Sequence, residues 1–114
     1  MKKNFSIKKN YQFKYIFSKG ESEYGEILKI IYIKNNKKNN RIGLCVNKDI
    51  GTIPLKNRAK RLMRESFRQI SLKKGYDIII MWKAKEVDKE YNAVFEDMKN
   101  TFRKLDLLDE TNNN

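Results

Sequence analysis

Lys56, Asn57, Arg58, Lys60, Arg61, Arg64 and Arg68 stand within thirteen residues of one another, and six of the seven are cations. At 100° per residue on a helix, Asn57, Arg61, Arg64 and Arg68 fall within an arc of about 60°, with Lys60 beside it. Leu55, Ala59, Leu62, Met63 and Ile70 gather on the opposite side. One side can dock on a core while the other presents guanidinium groups and an amide in rows. The chemistry open to such a face is phosphate binding, because guanidinium forks match phosphate oxygens two at a time. The plainer reading is a solvated helix, but a solvated face mixes signs to gain i,i+4 pairs, and here only Glu65 offers one. Like charges at this spacing cost stability unless a polyanion accepts them.

Residue types that are missing narrow the chemistry further. There is no His and only one Cys, so Ser-His-Asp triads, zinc sites and disulfide scaffolds lack their parts. Carboxylates concentrate at 86–110, away from the basic segment, so no close set would hold a metal beside it. Catalytic residues and metal ligands of the protein's own are not expected. Cys45 reads either as a small buried hydrophobe or as a reactive thiol. With no disulfide possible, the chain suits a reducing, cytoplasmic compartment.

The net charge of +12 on 114 residues is unevenly spread. Residues 1–50 carry +8, residues 51–75 carry +7, and residues 76–114 carry −3. The polyanion-facing surface is therefore expected from the first two thirds, with the acidic last third turned away. Lys, Asn and Ile share A/T-rich codons, so the abundance of Lys is partly genomic. Arg is more telling: it makes up 4 of the 8 bases in 51–75 and 2 of 18 elsewhere. No stretch approaches the roughly 20 apolar residues of a membrane span. Lys8, Lys9 and Lys14 interrupt any apolar core of a secretory signal. The length fits one domain, residues 1–114, with loose ends expected at about 1–8 and 108–114.

The elements that must position these residues can be read coarsely. Asn10 suits a helix N-cap and Gly20 its stop, with Phe13, Ile16 and Phe17 between them at helical spacing. Leu28–Ile33 is β-branched and aromatic, Asn35–Asn40 is a polar turn, and Arg41–Lys48 is a second strand, expected to pair with the first as an antiparallel hairpin. Thr52 and Pro54 open the basic helix, which should run to about Ile70. Tyr76–Trp82 has the continuous apolar centre of an interior strand. From Asp88, Tyr91, Val94, Phe95, Met98, Phe102 and Leu105 trace one stripe of a last helix.

Three stretches of this text carry a resemblance. Arg41-Ile42-Gly43-Leu44-Cys45-Val46-Asn47-Lys48, then Gly51, then Lys56-Asn57-Arg58-Ala59-Lys60-Arg61-Leu62-Met63-Arg64 is similar to the signature of the protein subunit of bacterial ribonuclease P. Lys8-Lys9-Asn10, Phe13, Phe17 and Gly20 match that family's opening. Two positions depart from it: Lys56 stands where the family has the first Arg of its triplet, and Asp49 where a second Lys is frequent.

The resemblance implies an α+β single-domain α-β-β-β-α-β-α sandwich. Helices would pack on a mixed sheet in a ribosomal-protein-like fold with a left-handed βαβ crossover, against the right-handed default. It implies that the catalytic RNA subunit performs endonucleolytic removal of the 5′ leader of precursor tRNA, using Mg²⁺ bound mainly by that RNA. Lys56, Asn57, Arg58, Lys60, Arg61, Arg64 and Arg68 would then face the catalytic RNA. The single-stranded leader would run through a cleft between the first helix and the sheet, against Phe13 and Phe17. The strand aromatic of the cleft would be Tyr32, or Ile31 in its place after a one-residue shift. Lys9, Lys14, Lys29 and Lys48 could supply charge around the cleft, as ordinary surface lysines also would. Expected partners are the catalytic RNA and precursor tRNA, with no membrane and no DNA; a helix-turn-helix reader would need a short helix where a strand and loop precede the basic one. The alternative is a non-catalytic structural RNA-binding protein of ribosomal-protein type.

Overall fold

A computed structural model describes residues 5–7 and 9–110. The ends expected to be loose at 1–4, at Lys8 and at 111–114 lie outside these residues. Elements follow in the order β1 (Phe5–Ser6), α1 (Asn10–Lys19), β2 (Glu21–Tyr24), β3 (Leu28–Lys34), β4 (Arg41–Val46), α2 (Ile53–Arg68), β5 (Tyr76–Trp82) and α3 (Tyr91–Lys104). The α-β-β-β-α-β-α order stands, with the short β1 added ahead of it. Leu72 and Leu108 form a further bridge, and both are buried.

The sheet order is β1-β4-β5-β3-β2. This corrects the expected hairpin: β3 and β4 are not neighbours, because β5 lies between them, antiparallel to β3 and parallel to β4. The reason is burial. Ile78, Ile79 and Ile80 are fully buried on consecutive positions, so both faces of β5 must be covered, whereas β4 is mostly half-exposed. The polar 35–40 turn spans the start of β5 and is tied to it. Asn35 N–H donates to the Gly75 carbonyl at 2.8 Å, Tyr76 N–H donates to Asn40 Oδ1 at 2.8 Å, and Asn40 Nδ2 donates to the Lys73 carbonyl at 3.0 Å. Parallel β4 and β5 require a crossover, and α2 supplies it.

Register divides the sheet's two faces. Leu28, Ile30, Ile78, Ile80 and Trp82 form the larger core with Ala59, Leu62 and Met63 of α2 and Val94, Met98 and Phe102 of α3. Ile31 and Ile79 face the other way and pack with Ile16 of α1 and Ile7, with Phe13, Ile33 and Cys45 around them. α1 therefore covers one face, and α2 with α3 covers the other.

Helix ends follow local chemistry. Thr52 caps α2, its hydroxyl accepting from Leu55 N–H at 3.4 Å, and Pro54 sits in the first turn, where it costs no hydrogen bond. α1 begins at Asn10 rather than being capped by it; Lys9 holds the cap position, its N–H donating to Gln12 Oε1 at 3.3 Å. Gly20 stops α1 in extended backbone at φ −81°. A Cβ there would lie 2.7 Å from the carbonyl oxygens of Ile16 and Tyr32, so close approach to β3 is what requires glycine.

The last helix is tied to the far end of the sheet by one carboxylate. Glu26, Ile27 and Leu28 N–H groups donate to Asp97 at 2.7, 3.0 and 3.0 Å. A Cβ on Gly25 would fall 2.6 Å from both Asp97 oxygens and from Thr101 Oγ1.

Candidate nucleic-acid interface

On α2, Ala59, Leu62, Met63 and Ser66 are buried as the pattern required, whereas Leu55, expected on the same face, is 44% exposed in the helix's first turn, and Ile70, just past its end, is half-buried. Asn57, Arg58, Arg61, Arg64 and Arg68 are exposed, while Lys56 and Lys60 are half-buried. Among the described residues, none of the six cations has an ion pair within 4.0 Å; the pairs that form involve Arg41, Lys73, Lys89 and Arg103. The helix thus carries its charge uncompensated.

The second site is built by α1 and the face of the sheet beneath it. On that face the side chains form rows across the strands: Arg41, Asp77 and Ile33; then Gly43, Ile79 and Ile31; then Cys45, Met81 and Lys29, with Tyr24 at the β2 edge. Phe13 lies over Gly43, so closely that a Cβ there would come within 2.8 Å of the ring. Phe17 follows one turn later, 43% exposed, its ring centre 6.4 Å from that of Phe13. The third row is open beyond them: Cys45, Met81 and Lys29 are half-exposed and Tyr24 is exposed.

Tyr32 does not belong to this groove. Period-2 alternation puts it on the opposite face, with its ring 5.6 Å from Tyr76 and its hydroxyl donating to Glu21 Oε1 at 3.1 Å. Burial first, then Glu21, pushes its phenol pKa up. Ile31 takes the α1 side and is buried there. The one-residue ambiguity was a choice of face, resolved by packing α1 against Ile31.

Tyr24 and Lys83, neither named from the sequence, border the open row beside Lys29. Lys29 Nζ sits 4.7 Å above the Tyr24 ring centre and Lys83 Nζ 5.7 Å from it. A hydrogen bond with Lys29, then the Lys29 charge, lowers the Tyr24 phenol pKa. Tyr24 lies outside any helical stripe; its pairing with Lys29 across β2–β3 is the feature that places it. Lys9 and Lys14 are exposed on α1, and Lys48 is exposed in the loop from β4 to α2.

Among the described residues, β1 pairs with β4 at Arg41 and Ile42, and Ile7 N–H continues the contact by donating to the Ile42 carbonyl at 2.9 Å. Cys45 stands on β4 at this side of the sheet, half-exposed. Burial raises that thiol's pKa more than Lys60 lowers it, which leaves Cys45 a weakly reactive packing residue. Among the described residues no three of His, Cys, Asp or Glu come together as a metal cage, and no helix is long and apolar enough to cross a membrane.

An α+β domain with an uncompensated guanidinium face on one side of its sheet and an aromatic groove on the other is a small basic protein built to meet a polyanion. The family model described as Ribonuclease P matches residues 1–106. The ribonuclease P protein component of Thermoanaerobacter sp. (strain X514) is 40% identical over 106 residues, which is 91% of this chain and 88% of that one. That of Clostridium botulinum (strain Langeland / NCTC 10281 / Type F) is 35% identical over 111 residues, 94% and 98%. The RNase P protein of Staphylococcus aureus superposes with a TM-score of 0.81 at 25% identity, covering 94% of this chain and all of that one (100%). The Thermotoga maritima protein gives 0.76 at 26% identity, covering 87% and 96%. The chain belongs to the ribonuclease P protein family. It is a component of ribonuclease P, the endoribonuclease that processes tRNA 5′ ends, and the RNA of that ribonucleoprotein is its partner.

Proposed function

We propose that this subunit grips the catalytic RNA with the exposed face of α2 and holds the 5′ leader of precursor tRNA in the groove beside Phe13 and Phe17. In this way it assists RNA-catalysed, Mg²⁺-dependent leader removal. The observation that carries this reading is that none of the six cations on α2 forms an ion pair within 4.0 Å among the described residues, although the helix's other face is buried.

Each surface has a matching chemistry. Arg58, Arg61, Arg64 and Arg68 can each take phosphate oxygens bidentately, displacing counterions and lowering repulsion where RNA strands crowd together. Mg²⁺ stays on the RNA in this reading and supplies the activated water and leaving-group stabilisation. In the groove, rings of Phe13 and Phe17 offer stacking that tolerates any base, as leaders of varied sequence require. Lys14, Lys29 and Lys48 would supply phosphate charge along the path, and the acidic last third would be turned away from the RNA. Tyr32 has no part in the groove, because it lies on the other face of the sheet.

The test is reconstitution with the cognate catalytic RNA and precursor tRNA at low Mg²⁺. Cleavage and precursor affinity should rise on adding the protein. No gain in either would overturn the reading and favour a purely structural RNA-binding role.

A further inference from the structure

α1 has two flanks, and only one has been given a role. At 100° per residue, Tyr11 and Tyr15 lie about 160° from Phe13 and Phe17, with the buried Ile16 between the pairs on the sheet side. α1 is therefore a ridge with one aromatic pair on each slope. The Tyr slope is the more open: Tyr11 is 67% and Tyr15 57% exposed. Below it lies a cavity of about 340 Å³ between α1 and the β3–β4 turn, lined by Tyr11, Tyr15, Lys34, Lys37, Arg41 and Asp77 among others.

The chemistry of that cavity favours one occupant. Its one carboxylate, Asp77, is buried and already neutralised by Arg41, which leaves Lys34 and Lys37 exposed and in excess. The backbone of the turn is held open by its own side chain: Asn35 Oδ1 accepts from Lys37 N–H at 2.7 Å, and Asn36 adopts φ 60°. Rings one turn apart on a helix stand about 5–6 Å apart at their Cβ atoms, which suits successive unstacked bases. An apolar protein partner would have to desolvate the lysines; a polyanion with flat faces would not.

We propose that the Tyr11–Tyr15 slope of α1 is a second binding site for single-stranded RNA, separate from the Phe13–Phe17 groove. Bases stack on the two phenol rings and phosphates meet Lys34 and Lys37. The subunit then straddles α1 with two single-stranded segments rather than one. The inference takes from family membership only that the protein works among RNA; it does not require the leader to occupy the other groove.

The experiment is equilibrium titration of the full chain with a fluorescent single-stranded octaribonucleotide, with a blunt RNA duplex as competitor. Wild type should bind two single strands. Tyr11→Ala/Tyr15→Ala should weaken one of the two by about tenfold or more and leave the other, while Tyr11→Phe/Tyr15→Phe restores it. Phe17→Ala should affect the other site. Unchanged binding in the Tyr11→Ala/Tyr15→Ala protein would overturn the proposal while leaving the groove intact. Loss in that protein with no effect of Phe17→Ala would support the second site and count against the groove. Equal competition by duplex would show that phosphates alone are bound, and would also overturn it.

Discussion

Gly43 on β4 lies directly beneath the ring of Phe13 on α1, and no side chain larger than hydrogen fits between them: a Cβ would stand 2.8 Å from Cε1 and Cζ of the ring. Gly43 is thus part of the groove's geometry. It sets how deeply Phe13 seats and so how far Phe17 stands clear of the sheet. Gly43→Ala should push the ring outward at a cost of about 1–3 kcal/mol. Thermal unfolding would measure that cost, and precursor affinity should fall with it. An unchanged melting temperature would mean that Phe13 moves freely, contrary to this packing.

Phe17→Ala removes an exposed ring that contributes little to the core. Precursor tRNA carrying a leader should lose about 1–3 kcal/mol of binding, and mature tRNA should lose nothing. Equal losses for both substrates would place Phe17 outside the leader path.

Arg61→Ala/Arg64→Ala leaves the buried face of α2 intact. Affinity for the catalytic RNA should fall, and the slope of log K against log salt should flatten by about 2, one per lost phosphate contact. A slope that stays put would show that these side chains do not meet phosphates.

The Arg41–Asp77 pair joins β4 to β5, with Arg41 Nε donating to Asp77 Oδ1 at 2.8 Å and Nη2 to Oδ2. Burial pushes the Asp77 carboxyl upward, but hydrogen bonds from Arg41 and Asn35, with the charges of Arg41 and Lys37, outweigh it and hold the pKa below its ordinary value. A depressed folded-state pKa gives stability that is whole above the unfolded value, about 3.9, and is lost as pH falls through the folded one. Melting temperature should therefore drop on acidification below about pH 4, and Asp77→Asn should flatten that limb. A variant with the wild-type acid limb would mean that other carboxylates govern it.

Asp97→Ala leaves three backbone N–H groups without their acceptor and loosens the β2–β3 turn from α3. A loss of about 2 kcal/mol or more is expected from chemical denaturation. The catalytic-RNA affinity of the folded fraction should not change, because the exposed cations of α2 lie opposite the face it buries in the core.

Elements whose signals are periodic and local were legible in the amino-acid order alone. The two-faced pattern of α2 could be read because Ala59, Leu62 and Met63 must be buried wherever the helix docks, which leaves Arg61, Arg64 and Arg68 outside. The run Ile78–Ile80 announced an interior strand, since no alternation means that both faces are covered. Tertiary structure decided which strands are neighbours, because pairing depends on what else needs the interior; β5 displaced the hairpin expected of β3 and β4. It also decided face. Ile31 and Tyr32 are equally strand-like, and only the seating of Ile16 turned Ile31 toward α1 and sent Tyr32 to the far side. Tyr24 had no periodic signal for the same reason: its contact with Lys83 joins residues distant along the chain, which spacing cannot encode.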